Sequence, residues 1–447
     1  MRQQSSAQAI KFGKLFMEFY NTIIGIDDTD SKTAGMCTTY LGALVVERIS
    51  AFVQSTVPYL LRLNPNVRFK TRGNAAVAFN VVLDKREMEK VKQVCCNLIE
   101  EFAVLSDSNT HPGIVFLTEE QATGIRSRLE DFSLRAVRDF ITIAEAKNFL
   151  RDYHIAHVGY KNGRGLIGAL AAAGFVFNGL PDYTYELITY RKPENWGRKR
   201  FLVEKSVWAA DSLSYPHTWD TVDYYNCRIV CSPHGPDPVL FGIRGDDVNV
   251  IEHASKIIQS EPIEKRLLYI TNQGTDMHIT DSSVAETRDG RSYKIKGMVE
   301  APPYVISGGH VIFTIKDSTG RIDCAAFEPT KNFRWIIKQL AVGDIVTVYG
   351  SVKNKTVNIE KIDIGQLSPR VTMRNPVCCA CGKRMKSAGK GQGYRCKKCK
   401  TTSSIPEKIE TLPQLASGLY ETPPVARRHL AKPLIRCTDG TLVHPSR

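Results

Sequence analysis

Two cysteine pairs, Cys378-Cys379-Ala380-Cys381 and Cys396-Lys397-Lys398-Cys399, stand 14 residues apart. Each supplies a C-x2-C knuckle, and two knuckles offer four thiolates to one tetrahedral zinc in a closed structural site. Zinc held this way fixes a ribbon too small to have a core of its own. Knuckle spacing selects Cys378, Cys381, Cys396 and Cys399, because Cys379 leaves a single residue before Cys381. A redox dithiol needs only one such pair. The other cysteines are scattered through a chain far longer than a disulfide-stapled scaffold, which points to a reducing, cytoplasmic setting. The segment up to Tyr20 has no uninterrupted apolar core and does not read as a secretory signal. The longest apolar stretch, Leu166 to Phe177, is too short and too Gly-rich to span a bilayer.

Charge concentrates around the same knuckles. The chain carries +14 overall, and from Val371 to Arg447 there are 15 Lys or Arg against 4 Asp or Glu. Lys383, Arg384, Lys386, Lys390, Arg395, Lys397, Lys398 and Lys400 surround the four ligands. Four thiolates on one zinc offset those cations only in part, so a phosphate backbone is the expected counterpart.

A length of 447 residues implies about three domains. In the front half, strand patterns at Thr22–Ile26, Leu60–Leu63, Ala75–Leu83 and Ile114–Leu117 alternate with helical patterns at Thr38–Ile49 and Lys85–Leu105. That alternation predicts α/β or α+β structure up to about residue 270. A polar, Gly-containing stretch from Gln273 to Arg291 marks a domain boundary. Beyond it, strands are predicted at Tyr293–Val299, His310–Lys316, Arg321–Phe327, Asp344–Ser351 and Thr356–Ile362, with a helix at Lys331–Leu340. Five strands with a helix after the third is the order of an OB-fold barrel, a common binder of single-stranded nucleic acid.

The chemistry-bearing loop is Asp27-Asp28-Thr29-Asp30, between the first strand and the first helix. Three carboxylates this close repel one another unless a cation sits among them, and oxygen-only ligands suit magnesium. No Walker A pattern is present, and Lys32 occupies the position where a haloacid-dehalogenase-type loop wants Thr or Val. Arg62–Asn66 and Lys70-Thr71-Arg72-Gly73-Asn74 place cations and amides at strand ends. Asn162-Gly163-Arg164-Gly165 opens an apolar helical run whose backbone N–H groups suit an anion. Ser232–Pro238 and Phe241–Gly245 form a Pro/Gly-rich loop region.

Read together, Gly25–Ser31, Gly35-Met36-Cys37-Thr38-Thr39-Tyr40-Leu41, Arg62–Asn66, Lys70–Asn74, Gly163–Ala173, Asn272–Asp276, the ribbon and Ala426–Leu430 resemble the archaeal agmatinylcytidine synthetases (TiaS) of the minor isoleucine tRNA. The resemblance runs from Thr22 through the C-terminal region, and residues 1–20 form an extension that the family usually lacks. It implies a multidomain α+β chain: a kinase-like α/β domain and a ferredoxin-like domain interleaved over residues 21–270, then a linker at 271–290. An OB-fold barrel at 291–368, a zinc ribbon at 369–403 and a basic tail at 404–447 follow. It implies ATP, Mg2+ and Zn2+ as cofactors, and the CAU-anticodon isoleucine tRNA and agmatine as partners, with no membrane and no obligate protein partner. The implied reaction uses ATP to activate C2 of the wobble cytidine and joins agmatine there, so that the tRNA reads AUA. Asp27, Asp28, Asp30 and Thr38 are the catalytic candidates, Thr38 as a phosphorylated residue. Lys70, Arg72, Asn74, Gly163, Arg164 and Gly165 are the phosphate-binding candidates, and Asp211, Asp220 and Asp223 the candidates for agmatine. The competing reading is a non-catalytic single-stranded nucleic-acid binder built from the barrel and the ribbon. Such a binder has no use for three clustered carboxylates.

Overall fold

The computed structural model describes residues 19–71, 73–411, 413–438 and 440–447; Arg72 and most of the N-terminal extension lie outside them. The front half is one nine-stranded sheet. Its strands are β1 (Phe19–Asp27), β2 (Val53–Arg62), β3 (Ala75–Asp84), β4 (Gly113–Thr118), β5 (Ala156–Gly159), β6 (Thr184–Arg191), β7 (Thr218–Trp219), β10 (Val239–Gly245) and β11 (Ile263–Thr271); β8 (Val222–Asp223) and β9 (Arg228–Ile229) form a separate hairpin. The order is β5-β4-β1-β3-β2-β11-β6-β10-β7. The two wings meet at the parallel pair β2–β11, which registers only Ile270 with Tyr59 and Thr271 with Leu60. Asn272 extends that short joint with its side chain, accepting from Arg62 N at 2.7 Å and donating to Arg62 O at 2.9 Å. An amide here mimics a further ladder pair and so locks one wing to the other.

The helices follow from their apolar spacing. On one face lie α1 (Thr38–Ile49) and α2 (Met88–Phe102), which bury Leu41, Val45, Val91, Cys95 and Leu98 against β1 and β3. α3 (Glu119–Gly124), α4 (Arg126–Arg138), α5 (Ile143–Asp152) and α6 (Leu166–Asn178) build the other core, in which Leu129, Phe132, Leu150 and Leu170 meet Ile23 and Val115. α7 (Glu204–Ser214) and α8 (Val248–Ile257) cover the second wing. The run Leu166–Phe177 that is too short for a bilayer is α6, apolar all round and therefore central. Among the described residues no helix is long and apolar enough to cross a membrane. α6 packs on β1 at backbone range: a Cβ on Gly25 would overlap the Ala169 carbonyl oxygen, and one on Gly168 would overlap the Asp27 carboxylate.

β12 (Ile279–Asp281) leads into the barrel of β13 (Ser292–Val305), β14 (Val311–Lys316), β15 (Arg321–Ala326), β16 (Ile345–Lys353) and β17 (Thr356–Gln366), with α9 (Phe333–Lys338) between β15 and β16. Pairings β13–β14, β14–β15, β15–β17, β17–β16 and β16–β13 close it. The five strands and helix expected of an OB fold are all present. Next, β18 (Arg370–Arg374) pairs with β22 (Glu407–Thr411) beneath the ribbon's β19 (Lys386–Ser387), β20 (Tyr394–Arg395) and β21 (Thr402–Ser403).

Two segments differ from the sequence expectation. The stretch 271–290 is not an open linker: Asn272 and Gln273 are fully buried, and His278 pairs with buried Glu360 of the barrel at 3.1 Å. Its polarity serves internal hydrogen bonds rather than solvent. Nor is 404–447 an open tail, since β23 (Gly418–Glu421) adds to β17 and β24 (Val443–His444) adds to β23. The cations that follow are used internally. Arg427 pairs with Asp220 and with Glu421 (2.8 Å), Arg428 with Glu360 (3.3 Å), and Arg436 with Asp182 (2.9 Å) and Asp246 (3.0 Å). The ribbon cations Lys383, Lys386, Lys390, Lys397, Lys398 and Lys400 stay exposed, so the surplus available to a polyanion is narrower than residue counting suggests.

The Gly25 contact gives a direct test. Gly25→Ala should lower stability by about 1–3 kcal/mol, because the overlap is with backbone that cannot rotate away; urea denaturation measures it, and an unchanged midpoint would contradict the packing.

Candidate functional site

β1 ends where α1 and α6 begin, and this junction floors a cavity of about 640 Å3. Asp27, Asp28, Asp30, Thr38, Lys70, Asn74 and Arg164 all line it. Neither helix has a side-chain N-cap or an acidic residue in its first turn, so their N-terminal N–H groups lend positive potential to the cavity. Asp28 adopts φ of 62°, a left-handed conformation that a non-glycine residue holds only at a cost. Arg164 donates to Asp28 Oδ2 through Nε at 2.9 Å, and its second nitrogen lies 2.8 Å away. Asp28 N donates to Asp27 Oδ1 at 2.7 Å, and Thr71 Oγ1 donates to Asp30 Oδ1 at 2.7 Å. Thr29 Oγ1 donates to Thr38 Oγ1 at 3.0 Å, which orients the Thr38 hydroxyl at the start of α1.

The carboxylates are held in tension. Asp27 touches the cavity but has protein on its other sides, and that burial, then the charge of Asp28, pushes its pKa well above the usual range. Burial likewise raises Asp28 to about 6, against the pull of Arg164. A site that raises its own carboxylates without supplying enough cations is one that a bound cation relieves. The loop offers oxygen donors of the kind a hard divalent cation takes, although among the described residues only the four ribbon cysteines converge closely enough to hold an ion as they stand.

The remaining candidates divide. Lys70 gives its ammonium to the Pro65 carbonyl, and burial, then Arg428, lowers its pKa. Asn74 is left-handed (φ 48°) and donates to Asn64 O at 2.8 Å. Gly163 and Gly165 do not line the cavity; Gly165 N donates to His111 O, and the two set the entry of α6 so that Arg164 reaches Asp28. Asp211, Asp220 and Asp223 lie outside the cavity. Asp220 and Asp211 pair with Arg427 and Arg447, while Asp223 accepts from Asn226 and from Val425 N.

Three cavity residues stand outside the site candidates that the sequence offered. Glu186, on β6, is buried, yet Arg244 and Arg62 hold it below its usual pKa; Arg244 Nε donates to it at 3.1 Å and Gln273 donates to its other oxygen. A lone acid in the apolar strand Thr184–Arg191 was the available signal. Asp139 pairs with Arg291 just before the barrel. His429 arrives from the far end of the chain: Arg62, then burial, Arg244 and Lys70 hold its imidazole neutral, and its Nδ1 is buried without a partner among the described residues.

The ribbon forms the second site. Sγ atoms of Cys378, Cys381, Cys396 and Cys399 all lie within 4.8 Å of one another, a spacing that suits tetrahedral zinc, and exposed Cys379 stands outside the set.

These features define a class: a multidomain α+β protein in which a carboxylate- and cation-lined cavity is joined to an OB-fold barrel and a zinc ribbon. Family models match in the same order: TiaS TCKD domain over 23–88, TiaS FLD domain over 163–278, OB-fold nucleic acid binding domain over 293–364, and TiaS C-terminal zinc ribbon domain over 375–412. The tRNA 2-agmatinylcytidine synthetase TiaS of Methanosarcina mazei, which acts on the minor isoleucine tRNA, is 51% identical over 93% of this chain and 97% of its own length. A crystal structure of TiaS in complex with that tRNA and ATP superposes with a TM-score of 0.87 at 44% identity, covering 96% of this chain and all of that one. A complex of TiaS with the tRNA, AMPCPP and agmatine gives 0.84 at 41% identity, with 96% and 100% coverage. The chain belongs to the TiaS family.

Asp27→Asn tests the tension in the acidic loop. A carboxyl whose folded pKa is raised contributes stability below its unfolded pKa and loses it as pH rises through the folded value. The metal-free variant should therefore melt several degrees above the parent at pH 8, with the gap closing towards pH 4. Thermal scans measure it, and equal melting at pH 8 would contradict the account.

Proposed function

We propose that this chain is an ATP-dependent ligase that attaches agmatine to C2 of the wobble cytidine of the CAU-anticodon isoleucine tRNA. The observation that carries the reading is full-length kinship with TiaS proteins, combined with seven of the motif-derived candidates lining one cavity. A purely nucleic-acid-binding protein would not hold carboxylates under such tension beside cations and helix N-termini.

The C2 oxygen of cytosine is a poor leaving group. Transfer of a phosphoryl group from ATP makes it a good one. The agmatine amine, having lost a proton, then attacks C2, the C2–O bond breaks, and the oxygen departs with phosphate. Asp27, Asp28 and Asp30 would hold Mg2+, which neutralises charge on the phosphates. Lys70, Arg164 and the N-terminal N–H groups of α1 would bind phosphate oxygens, with the N-terminal end of the α6 dipole beside them, an arrangement that stabilises charge developing in transfer. Arg72 belongs to the same set by its sequence position. Thr38, aligned by Thr29, would accept a phosphoryl group from a second phosphoanhydride cleavage of the nucleotide, its hydroxyl proton passing to solvent as the remaining phosphate leaves. We assign residues 21–270 to catalysis, 291–368 to the OB domain and 369–403 to the ribbon, and place the enzyme in the cytoplasm with its tRNA. Exposed ribbon cations suit the tRNA backbone.

Labelled agmatine, ATP and Mg2+ with transcribed minor isoleucine tRNA test this reading. Label should enter that tRNA and not elongator methionine tRNA, and Asp28→Ala and Thr38→Ala should each lose at least about 100-fold in rate. Full turnover by either variant would contradict the site assignment.

A further inference from the structure

Beneath the first turn of α1 runs a chain of buried hydroxyl groups outside the cavity. Tyr269, on β11, donates from its hydroxyl to the Thr39 carbonyl oxygen at 2.7 Å. The Tyr190 hydroxyl, on β6, lies 3.4 Å from that of Tyr269, and the Thr39 side chain hydrogen-bonds the Tyr190 hydroxyl. Cys37 Sγ stands 3.1 Å from Thr39 Oγ1. Each of these hydroxyl and thiol groups has a single proton, and that fixes the direction of the chain. Tyr269 commits its proton to the carbonyl, so Tyr190 donates to Tyr269, Thr39 donates to Tyr190, and Cys37 donates to Thr39. The relay leaves from the Thr39 side chain and returns to the Thr39 backbone.

Tyr190 and Tyr269 are fully buried among Ile24, Leu41 and Phe79, where phenylalanine would fill the same space without a polar group to satisfy. Gly42 makes room for the Tyr269 hydroxyl, since a Cβ there would lie 3.2 Å from it. Packing alone therefore does not account for the two hydroxyls. The start of α1 does need holding: Cys37, its N-cap residue, makes no side-chain cap bond, and Thr38, its first residue, opens on the cavity. Along β6, Glu186 and Ile188 line the cavity and Tyr190 follows on the same face of the strand. Cavity wall and helix start are thus joined through one strand by hydrogen bonds.

We propose that Tyr190 and Tyr269 are positioning residues for phosphoryl transfer to Thr38, their relay fixing the Thr39 carbonyl and with it the aim of the Thr38 hydroxyl. This deepens the ligase reading and rests on it for the role of Thr38. In the transfer the Thr38 Oγ–P bond forms as a phosphoanhydride P–O bond of the nucleotide breaks. The electron pair of that bond leaves with the remaining phosphate, and the hydroxyl proton passes to solvent. Neither tyrosine lines the cavity, so both act through the helix start. Burial raises both phenols above their ordinary pKa, and the relay keeps its protons throughout the neutral range.

The test uses the full-length, zinc-loaded protein with Mg2+ and ATP radiolabelled in its β- and γ-phosphates, and reads label on Thr38 by peptide mapping. Tyr269→Phe and Tyr190→Phe should each slow Thr38 labelling about tenfold while the KM for ATP stays within about twofold. The double variant should lose no more than either single one, because the hydroxyls act as a unit. Tyr40→Phe removes a hydroxyl of the same helical turn that bonds Glu264 instead, and should label at the parental rate. Parental labelling by both single variants would overturn the proposal. So would an equal loss in Tyr40→Phe, or additive losses in the double variant, either of which leaves the hydroxyls a role in stability alone. Agmatine incorporation by the parent with no label on Thr38 would overturn the proposal and the role of Thr38 while the ligase reading stands. Label on Thr38 that falls in the two single variants, without agmatine incorporation by any form, would keep the relay and refute the ligase reading instead.

Discussion

The close approach of α6 to the end of β1 governs this molecule. Gly25 admits the Ala169 carbonyl and Gly168 admits the Asp27 carboxylate, so helix and strand meet without side chains between them. That contact encloses Asp27, raises its pKa, and brings the first turn of α6 beside the acidic loop. Arg164 can then reach Asp28 from the same helix. Spacing the helix away by one methyl group would hydrate the carboxylates and remove the tension on which cation and phosphate binding draw. Packing and electrostatics are here a single constraint.

A second dependence runs through the C-terminal segment. Its arginines join front-half and barrel carboxylates far from them in sequence, as with Arg427 and Asp220. Removing one partner of such buried pairs is costly, because the other charge is left alone. The segment thereby holds the OB barrel against the nine-stranded sheet and brings His429 into the cavity wall. The wall of the cavity is therefore partly made by the chain's far end.

Much of this was legible in sequence because it is local. The knuckles announce their zinc by spacing, the barrel by its strand and helix order, and the acidic loop by charge placed after an apolar strand. What was not legible depends on distant partners. Asn272 and Gln273 read as a polar boundary, but they complete the β2–β11 joint and bind Glu186. The basic residues after 404 read as a surface for polyanions, yet Arg427, Arg428 and Arg436 are matched by internal carboxylates. His429 could be quoted as part of a motif, but no local pattern says that three cations of the front half would surround it. Asp211, Asp220 and Asp223 likewise stand in an ordinary-looking loop stretch, and only the fold gives them arginine, asparagine and backbone partners.

The central claim is that the cavity removes the C2 oxygen of the wobble cytidine by phosphorylating it. The most direct measurement uses tRNA carrying 18O at that single position, with ATP, Mg2+ and agmatine, followed by mass spectrometry of every product. The account predicts that the label leaves the base and appears in inorganic phosphate, one atom for each agmatine attached. Label appearing in the nucleotide product, or remaining on the tRNA after agmatine has been joined, would contradict it.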